Sequence, residues 1–115
     1  MARILIVDDE PDLRGMVRLV LELDGHQVHE AHHGRAALER LAEIEVDLVI
    51  TDVMMPVMSG NALIDRLRGE KSTAELPIIV LSASPHQVAN ANRVMHKPFE
   101  PRDLRENVKA LVAAL

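Results

Sequence analysis

The sequence predicts an α/β protein in which five parallel strands form an open, doubly wound sheet in the order 2-1-3-4-5. Short apolar runs typical of buried strands alternate with segments whose apolar residues recur at helical spacing. Strands joined by helices in this way are parallel and connected by right-handed crossovers, so helices cover both faces of the sheet. The 115 residues include no cysteine and suffice for one domain, residues 1–115, whose core needs no disulfide bond.

The individual elements follow from local patterns. Runs rich in β-branched residues and leucine predict strands at residues 3–7, 27–31, 48–51, 78–81 and 93–95. The first helix begins at Pro11, which suits the first turn of a helix, and ends before Asp24 and Gly25. Segments with their apolar residues on one face predict the other helices at residues 34–43, 60–68 and 102–115. Five strands in this alternation favour the flavodoxin-like order, in which strands one and three are neighbours.

The crossover between strands four and five is short. Residues 83–92 leave ten positions, whereas a parallel crossover needs about a dozen. Ser84 and Pro85 suit the start of a turn of helix that continues through Val88 and Ala89, but Asn90 and Asn92 favour a loop. We therefore expect the fourth helix of the fold to be shortened or missing.

Composition argues against several classes of function. The net charge of -5 disfavours general nucleic-acid binding, because cationic side chains supply most of the affinity for phosphates. No apolar run approaches the roughly 20 residues of a membrane span. Only four apolar residues stand between Arg3 and Asp8, too few for the apolar region of a secretory signal. These features lead us to expect a soluble, cytoplasmic protein.

Acidic residues follow two of the predicted strands. Asp8, Asp9 and Glu10 come after strand one, and Asp52 comes after strand three. The carboxyl ends of neighbouring parallel strands meet at one edge of the sheet, where such folds place their sites. Mutual repulsion disfavours ionising all of these acids together, and a hard, oxygen-seeking cation such as Mg²⁺ would relieve it.

Two more polar side chains are predicted at the same edge. Ser82 ends strand four, and Lys97 follows strand five. Carboxylates, a hydroxyl and a fixed cation suit phosphoryl transfer, where catalysis is mostly positioning and charge neutralisation. Asp52 would be the nucleophile and would form an aspartyl phosphate. Ser82 would donate a hydrogen bond to a phosphoryl oxygen, and Lys97 would offset its charge.

Taken together, these motifs closely resemble the receiver domain of two-component response regulators. The resemblance covers essentially the whole chain and is carried by Asp8-Asp9, residues 52–60 (DVMMPVMSG), Ser82-Ala83 and Lys97-Pro98-Phe99. It implies that Asp52 is the phosphoacceptor. It also implies a Mg²⁺ site in which Asp9 binds directly, Asp8 binds through water, and the backbone carbonyl of Met54 completes the protein's share with Asp52.

The resemblance assigns roles to the remaining site residues and to partners. Ser82 takes the place of the family's hydroxyl residue, Lys97 that of the lysine that senses the phosphoryl group, and the bond before Pro98 is usually cis. The phosphoryl group would come from a sensor histidine kinase, a phosphotransfer protein or a small phosphodonor. Output would pass to a separate protein, or to an effector domain that is missing if a longer protein was cut at Leu115. We expect no direct nucleic-acid binding and no membrane association by this domain, and its oligomeric state stays open.

The chain also departs from the family pattern. Val94 stands where relatives carry an aromatic residue on strand five, and the segment from Ser82 to Lys97 is shorter. These departures would suit a degenerate receiver that acts as a phosphorylation-independent protein-binding module. The intact acids, hydroxyl and lysine argue against that alternative, because a site without use need not keep them.

Two further alternatives share the fold. An FMN-binding protein would need aromatic residues to sandwich the flavin and a glycine- or hydroxyl-rich first loop for its phosphate, and the chain has neither. A stand-alone Mg²⁺ phosphohydrolase would need a substrate-binding or cap segment, and none is present in the sequence. A receiver, by contrast, catalyses only its own phosphorylation and dephosphorylation and is not a turnover enzyme.

Overall fold

The structure, a computed structural model, describes residues 1–83 and 88–115 and has five parallel strands with helices on both faces. The strands are β1 (Arg3–Val7), β2 (Gln27–Ala31), β3 (Leu48–Asp52), β4 (Ile78–Ser82) and β5 (Arg93–His96). The helices among the described residues are α1 (Pro11–Leu23), α2 (Gly34–Glu43), α3 (Gly60–Gly69) and α4 (Pro101–Ala113). The sheet order is β2-β1-β3-β4-β5, so the predicted order and strand direction are confirmed.

The core consists of two apolar layers, one on each face of the sheet. Successive side chains of a strand point to opposite faces, so Ile4 and Ile6 of β1 join one layer while Leu5 and Val7 join the other. Helices α1 and α4 cover the first layer, and helices α2 and α3 cover the second. Strands β3 and β4 are buried along their whole length because helices cover both of their faces.

The expectation of a shortened or missing fourth helix is wrong, because the described residues contain four helices. Helix α4 is a 13-residue helix that begins at Pro101 and buries Leu104 and Val108. The expectation concerned the crossover from β4 to β5, and its predicted helical turn begins at Ser84 and Pro85, which lie outside the described residues. Val88 and Ala89, the end of the predicted turn, are not in a helix. None of the helices in the described residues has the length and apolar character needed to span a membrane.

Arg68 of α3 connects this helix to the segments on either side of β4. Its guanidinium donates hydrogen bonds over 2.7 to 3.5 Å to carbonyl oxygens before β4 and to two acceptors before β5. The acceptors are the carbonyls of Thr73, Ala74, Leu76 and Asn90 and the Oδ1 atom of Asn92. The same Oδ1 atom accepts from the amide of Ile78 at the start of β4. The Arg68 side chain thereby holds the end of the crossover, at Asn90 and Asn92, against the start of β4.

We predict that Arg68→Met lowers the free energy of unfolding by about 2 to 3 kcal/mol, because several half-buried acceptors lose a charged donor at once. Urea denaturation followed by far-UV circular dichroism measures the change. Arg66→Met is the matched control, since Arg66 is exposed on the same helix, and it should stay within about 0.5 kcal/mol of the unsubstituted protein. Equal losses in the two variants would contradict the role of Arg68.

Candidate functional site

The predicted acids meet at the carboxyl edge of the sheet. In the parallel pair of β1 and β3, Val7 is level with Thr51, so Asp8 and Asp52 come one residue later at the same height. Asp8 is fully buried and Asp52 is 6% exposed. Strand β3 continues to Asp52, one residue beyond the predicted strand, and the acid is therefore held by the sheet itself.

The Lys97 side chain extends from beyond β5 to the acids. Its ammonium Nζ lies 3.2 Å from Oδ2 of Asp52, 3.4 Å from Oδ2 of Asp8 and 3.5 Å from Oε1 of Glu10. The backbone N–H of Lys97 donates to the carbonyl of Ser82 over 2.9 Å, which attaches the lysine to the end of β4. The peptide bond between Lys97 and Pro98 is cis, as the resemblance implied.

Backbone amides hold the second oxygen of each buried acid. Oδ1 of Asp8 accepts the N–H of Glu10 over 2.9 Å, and Oδ1 of Asp52 accepts the N–H of Val53 over 2.8 Å. Both carboxylates thus present Oδ2 to Lys97 while Oδ1 is bound to the main chain. This arrangement fixes the side-chain orientation of each acid.

Burial and charge determine how the site titrates. Burial raises the pKa of Asp8 and the nearby Asp52 charge adds to that rise, although the Glu10 amide and Lys97 oppose it. Burial alone would lower the pKa of Lys97, but the charges of Asp8 and Asp52 together outweigh it and raise the pKa. The lysine is therefore a fixed positive charge, while ionised Asp8 is held at a cost.

Three acids have ligand atoms close enough to share a cation. Carboxylate oxygens of Asp8, Glu10 and Asp52 all lie within 4.8 Å of one another. Oxygen ligands of this type suit Mg²⁺, and three carboxylates facing one ammonium leave an excess of negative charge for a cation to neutralise. Asp9, which the resemblance implied as a direct ligand, is exposed and lies outside this group, whereas Glu10 lies inside it.

The other two predicted residues lie at the same edge of the sheet. Ser82 is the last residue of β4 and is 3% exposed, next to His96 in the register of β5. Met54 comes two residues after the end of β3, and its side chain is exposed. The structure thus brings Asp8, Asp52 and Lys97 into contact and places Ser82 and Met54 on the strand and loop beside them.

Gly60 explains how α3 packs against the phosphoacceptor candidate. A Cβ atom at this position would overlap the backbone carbonyl of Asp52, and the N–H of Gly60 donates to the carbonyl of Val53 over 2.9 Å. Ser59 caps the helix by accepting the N–H of Ala62 over 3.2 Å. Ser59 and Gly60, a pair that is common in ordinary loops, thus allow α3 to begin directly against the end of β3.

We predict that Asp8→Asn stabilises the metal-free protein at neutral pH. The pKa of Asp8 in the folded state lies above 3.8, so the folded state loses stability as the pH rises from 3.8 through that pKa, and an asparagine avoids this loss. Urea denaturation in EDTA, repeated from pH 7 downward, should show the advantage of the variant narrowing as the pH approaches 3.8. An advantage independent of pH would contradict the burial effect.

The sequence matches the family described as the response regulator receiver domain over residues 4–109. Curated relatives include the sensor histidine kinase TmoS of Ectopseudomonas mendocina, which is 40% identical over 96% of this chain. The phosphate regulon transcriptional regulatory protein PhoB of Pseudomonas aeruginosa is 34% identical over 95% of the chain. The chain spans 12% of the length of the first relative and 51% of the second.

Solved structures show the same similarity. The signal receiver domain of a signal transduction histidine kinase from Syntrophus aciditrophicus superposes with a TM-score of 0.94 at 30% identity, over 100% of this chain and 92% of that one. The response regulator TrrA of Thermotoga maritima, solved in complex with Mg²⁺-BeF, gives 0.86 at 34% identity, over 96% and 99%. Since the family match runs from β1 into α4 and includes the two buried acids and the lysine, the chain belongs to the response regulator receiver domain family.

Proposed function

We propose that this chain is a Mg²⁺-dependent phosphoacceptor of a two-component system, residues 1–115 forming one receiver domain in which Asp52 takes a phosphoryl group from a sensor histidine kinase or a phosphotransfer protein. The observation that carries the proposal is the buried Asp52 carboxylate, 3.2 Å from Lys97 and grouped with the oxygens of Asp8 and Glu10. A carboxylate held in this way can act as a nucleophile toward phosphorus. The curated relatives carry sensor kinase and transcriptional regulator names, which supports a role in this kind of signalling.

The chemistry of the chain's own residues follows from their hydrogen bonds. Oδ1 of Asp52 is held by the amide of Val53, whereas Oδ2 faces the mobile end of the Lys97 side chain, so we assign Oδ2 as the oxygen that attacks phosphorus. A bond from Oδ2 to phosphorus forms as the bond from phosphorus to the donor's nitrogen breaks, and the leaving imidazole keeps the electron pair. Lys97 then offsets charge on a phosphoryl oxygen, and the Ser82 hydroxyl donates to another.

The donor set fits Mg²⁺. Asp8, Asp52 and the carbonyl of Met54 would hold the ion, together with a carboxylate from the turn after β1. When bound, the cation supplies positive charge that neutralises the phosphoryl oxygens. The buried Asp8 carboxylate, which is costly to ionise in the metal-free fold, gains a partner when the ion is present.

The chain is shorter than the signalling proteins that it matches. The chain spans about half the length of the transcriptional regulator it matches and about an eighth of the sensor kinase. We propose that output passes to a separate protein or to an effector domain of a longer polypeptide, in the cytoplasm and without direct nucleic-acid contact by this domain. A phosphorylation-independent binding module is less favoured, because it would not need a buried acid paired with a lysine.

We predict that acetyl phosphate with Mg²⁺ adds one phosphoryl group to the protein and that Asp52→Asn abolishes the addition, because an amide oxygen is a far weaker nucleophile than a carboxylate. Intact-mass measurement with and without Mg²⁺ reads the result. Asp65→Asn serves as the control, since Asp65 is exposed on α3, and it should label as the unsubstituted protein does. Full labelling of Asp52→Asn would refute the proposed acceptor.

We predict that either Asp9 or Glu10, in the turn after β1, supplies a carboxylate that binds Mg²⁺. Two matched variants distinguish the two residues. Asp9→Asn and Glu10→Gln each remove one charge from neighbouring exposed residues. Isothermal titration with MgCl₂ should show Mg²⁺ affinity weakened by at least about tenfold in the variant that loses a direct ligand. The resemblance favours Asp9, whereas the positions of the oxygens favour Glu10. Unchanged affinity in both variants would remove this turn from the metal site.

A further inference from the structure

Arg14 of α1 contacts the backbone of Asp8 directly. Its Nη1 atom donates to the carbonyl oxygen of Asp8 over 2.6 Å, and its Nε atom donates to Oε1 of Glu30 over 3.0 Å. The Arg14 side chain is only 18% exposed. A half-buried guanidinium therefore joins β2 to the point where β1 ends and the acidic turn begins.

Glu30, which binds this guanidinium, also accepts a hydrogen bond from a second arginine. Its Oε2 atom accepts from Nη1 of Arg18 over 2.8 Å, and Arg18 also donates to Glu22 over 3.1 Å. Hydrogen bonds from Arg18 and then from Arg14 lower the pKa of Glu30, so the bridging carboxylate stays ionised near neutral pH. Arg14 and Arg18 thus share one partner, but Arg14 alone of the two has a described bond to the site.

The bond to the Asp8 carbonyl orients the turn that carries the acids. The carbonyl of Asp8 and the N–H of Asp9 belong to one planar peptide unit, so fixing the oxygen also fixes the plane from which the next residues leave the strand. The N–H of Asp8 is held by the carbonyl of Ala31 over 3.1 Å, and its side chain accepts the N–H of Glu10 over 2.9 Å. The Arg14 bond comes from outside the turn and holds the first peptide group of the turn, which joins Asp8 to Asp9.

We infer that Arg14, held by Glu30, is a positioning residue that sets the orientation of the acidic turn and thereby the Mg²⁺ affinity of the site. The inference rests on the proposed function for its metal readout alone. A lysine could not replace the arginine. The rigid guanidinium plane donates hydrogen bonds in two directions, to Asp8 and to Glu30, whereas an ammonium on a flexible side chain does not hold both acceptors in a fixed geometry.

The test compares Arg14→Met with Arg18→Met, since both variants remove an arginine of α1 that binds Glu30. The first readout is the rate of hydrogen exchange of the Glu10 backbone amide, measured by NMR in the metal-free protein. We expect Arg14→Met to speed the exchange of the Glu10 amide severalfold, and Arg18→Met to leave it unchanged. The second readout is the dissociation constant for MgCl₂ from calorimetry, which should rise by about tenfold in Arg14→Met and stay constant in Arg18→Met.

Arg14→Lys keeps the charge and serves as the milder variant if Arg14→Met does not fold. It should weaken Mg²⁺ binding and speed Glu10 exchange as well, because its single ammonium cannot reproduce both bonds. Equal exchange and equal affinity in the Arg14 and Arg18 variants would overturn the inference. If the unsubstituted protein binds no Mg²⁺ while Arg14→Lys still speeds Glu10 exchange, the proposed function fails and the positioning role of Arg14 stands.

Discussion

The contact of the Lys97 ammonium with the carboxylates of Asp8 and Asp52 is the interaction on which the site depends. Two acids at the buried ends of neighbouring strands repel each other, and removing them from water adds a further cost. The lysine offsets both effects, but it comes from the far end of the chain, beyond β5. The acids at the ends of β1 and β3 therefore gain this positive partner only when β5 has joined the sheet, which couples the charge balance of the site to the completeness of the fold.

Around this contact, further hydrogen bonds and a close helix contact hold the two acids and their backbone. The Glu10 and Val53 amides orient the two carboxylates, the Asp8 carbonyl accepts from Arg14, and α3 packs directly on Asp52 because Gly60 has no side chain. Such support would matter for the proposed phosphoryl transfer, which relies on positioning and charge more than on covalent assistance. Asp9 and Glu10, which follow Asp8 in the turn after β1, are exposed, and a carboxylate oxygen of Glu10 lies with those of Asp8 and Asp52.

The end of the crossover from β4 to β5, at residues 90–92, is held against α3 and the start of β4. Arg68 binds carbonyls before β4 and acceptors before β5, and Asn92 also accepts the amide of Ile78. In this part of the molecule, Val94 is 38% exposed at the edge strand, at the position where the resemblance leads us to expect an aromatic ring. A valine has no ring to reorient, so this edge of the sheet lacks the aromatic contact that the resemblance implies.

The sequence by itself determined the sheet order, the five strands, the positions of helices α1 to α4, and the meeting of Asp8, Asp52 and Lys97 at one edge. Apolar periodicity specifies which residues are buried, and the alternation of strand and helix specifies that their carboxyl ends meet. Tertiary structure alone decided that Glu10 rather than Asp9 lies with Asp8 and Asp52, and that Arg14 and Arg68 bind backbone carbonyls. The reason is physical: periodicity constrains regular elements but not the direction of side chains in a turn. Every residue also offers a carbonyl, so no sequence pattern identifies the one that an arginine will bind.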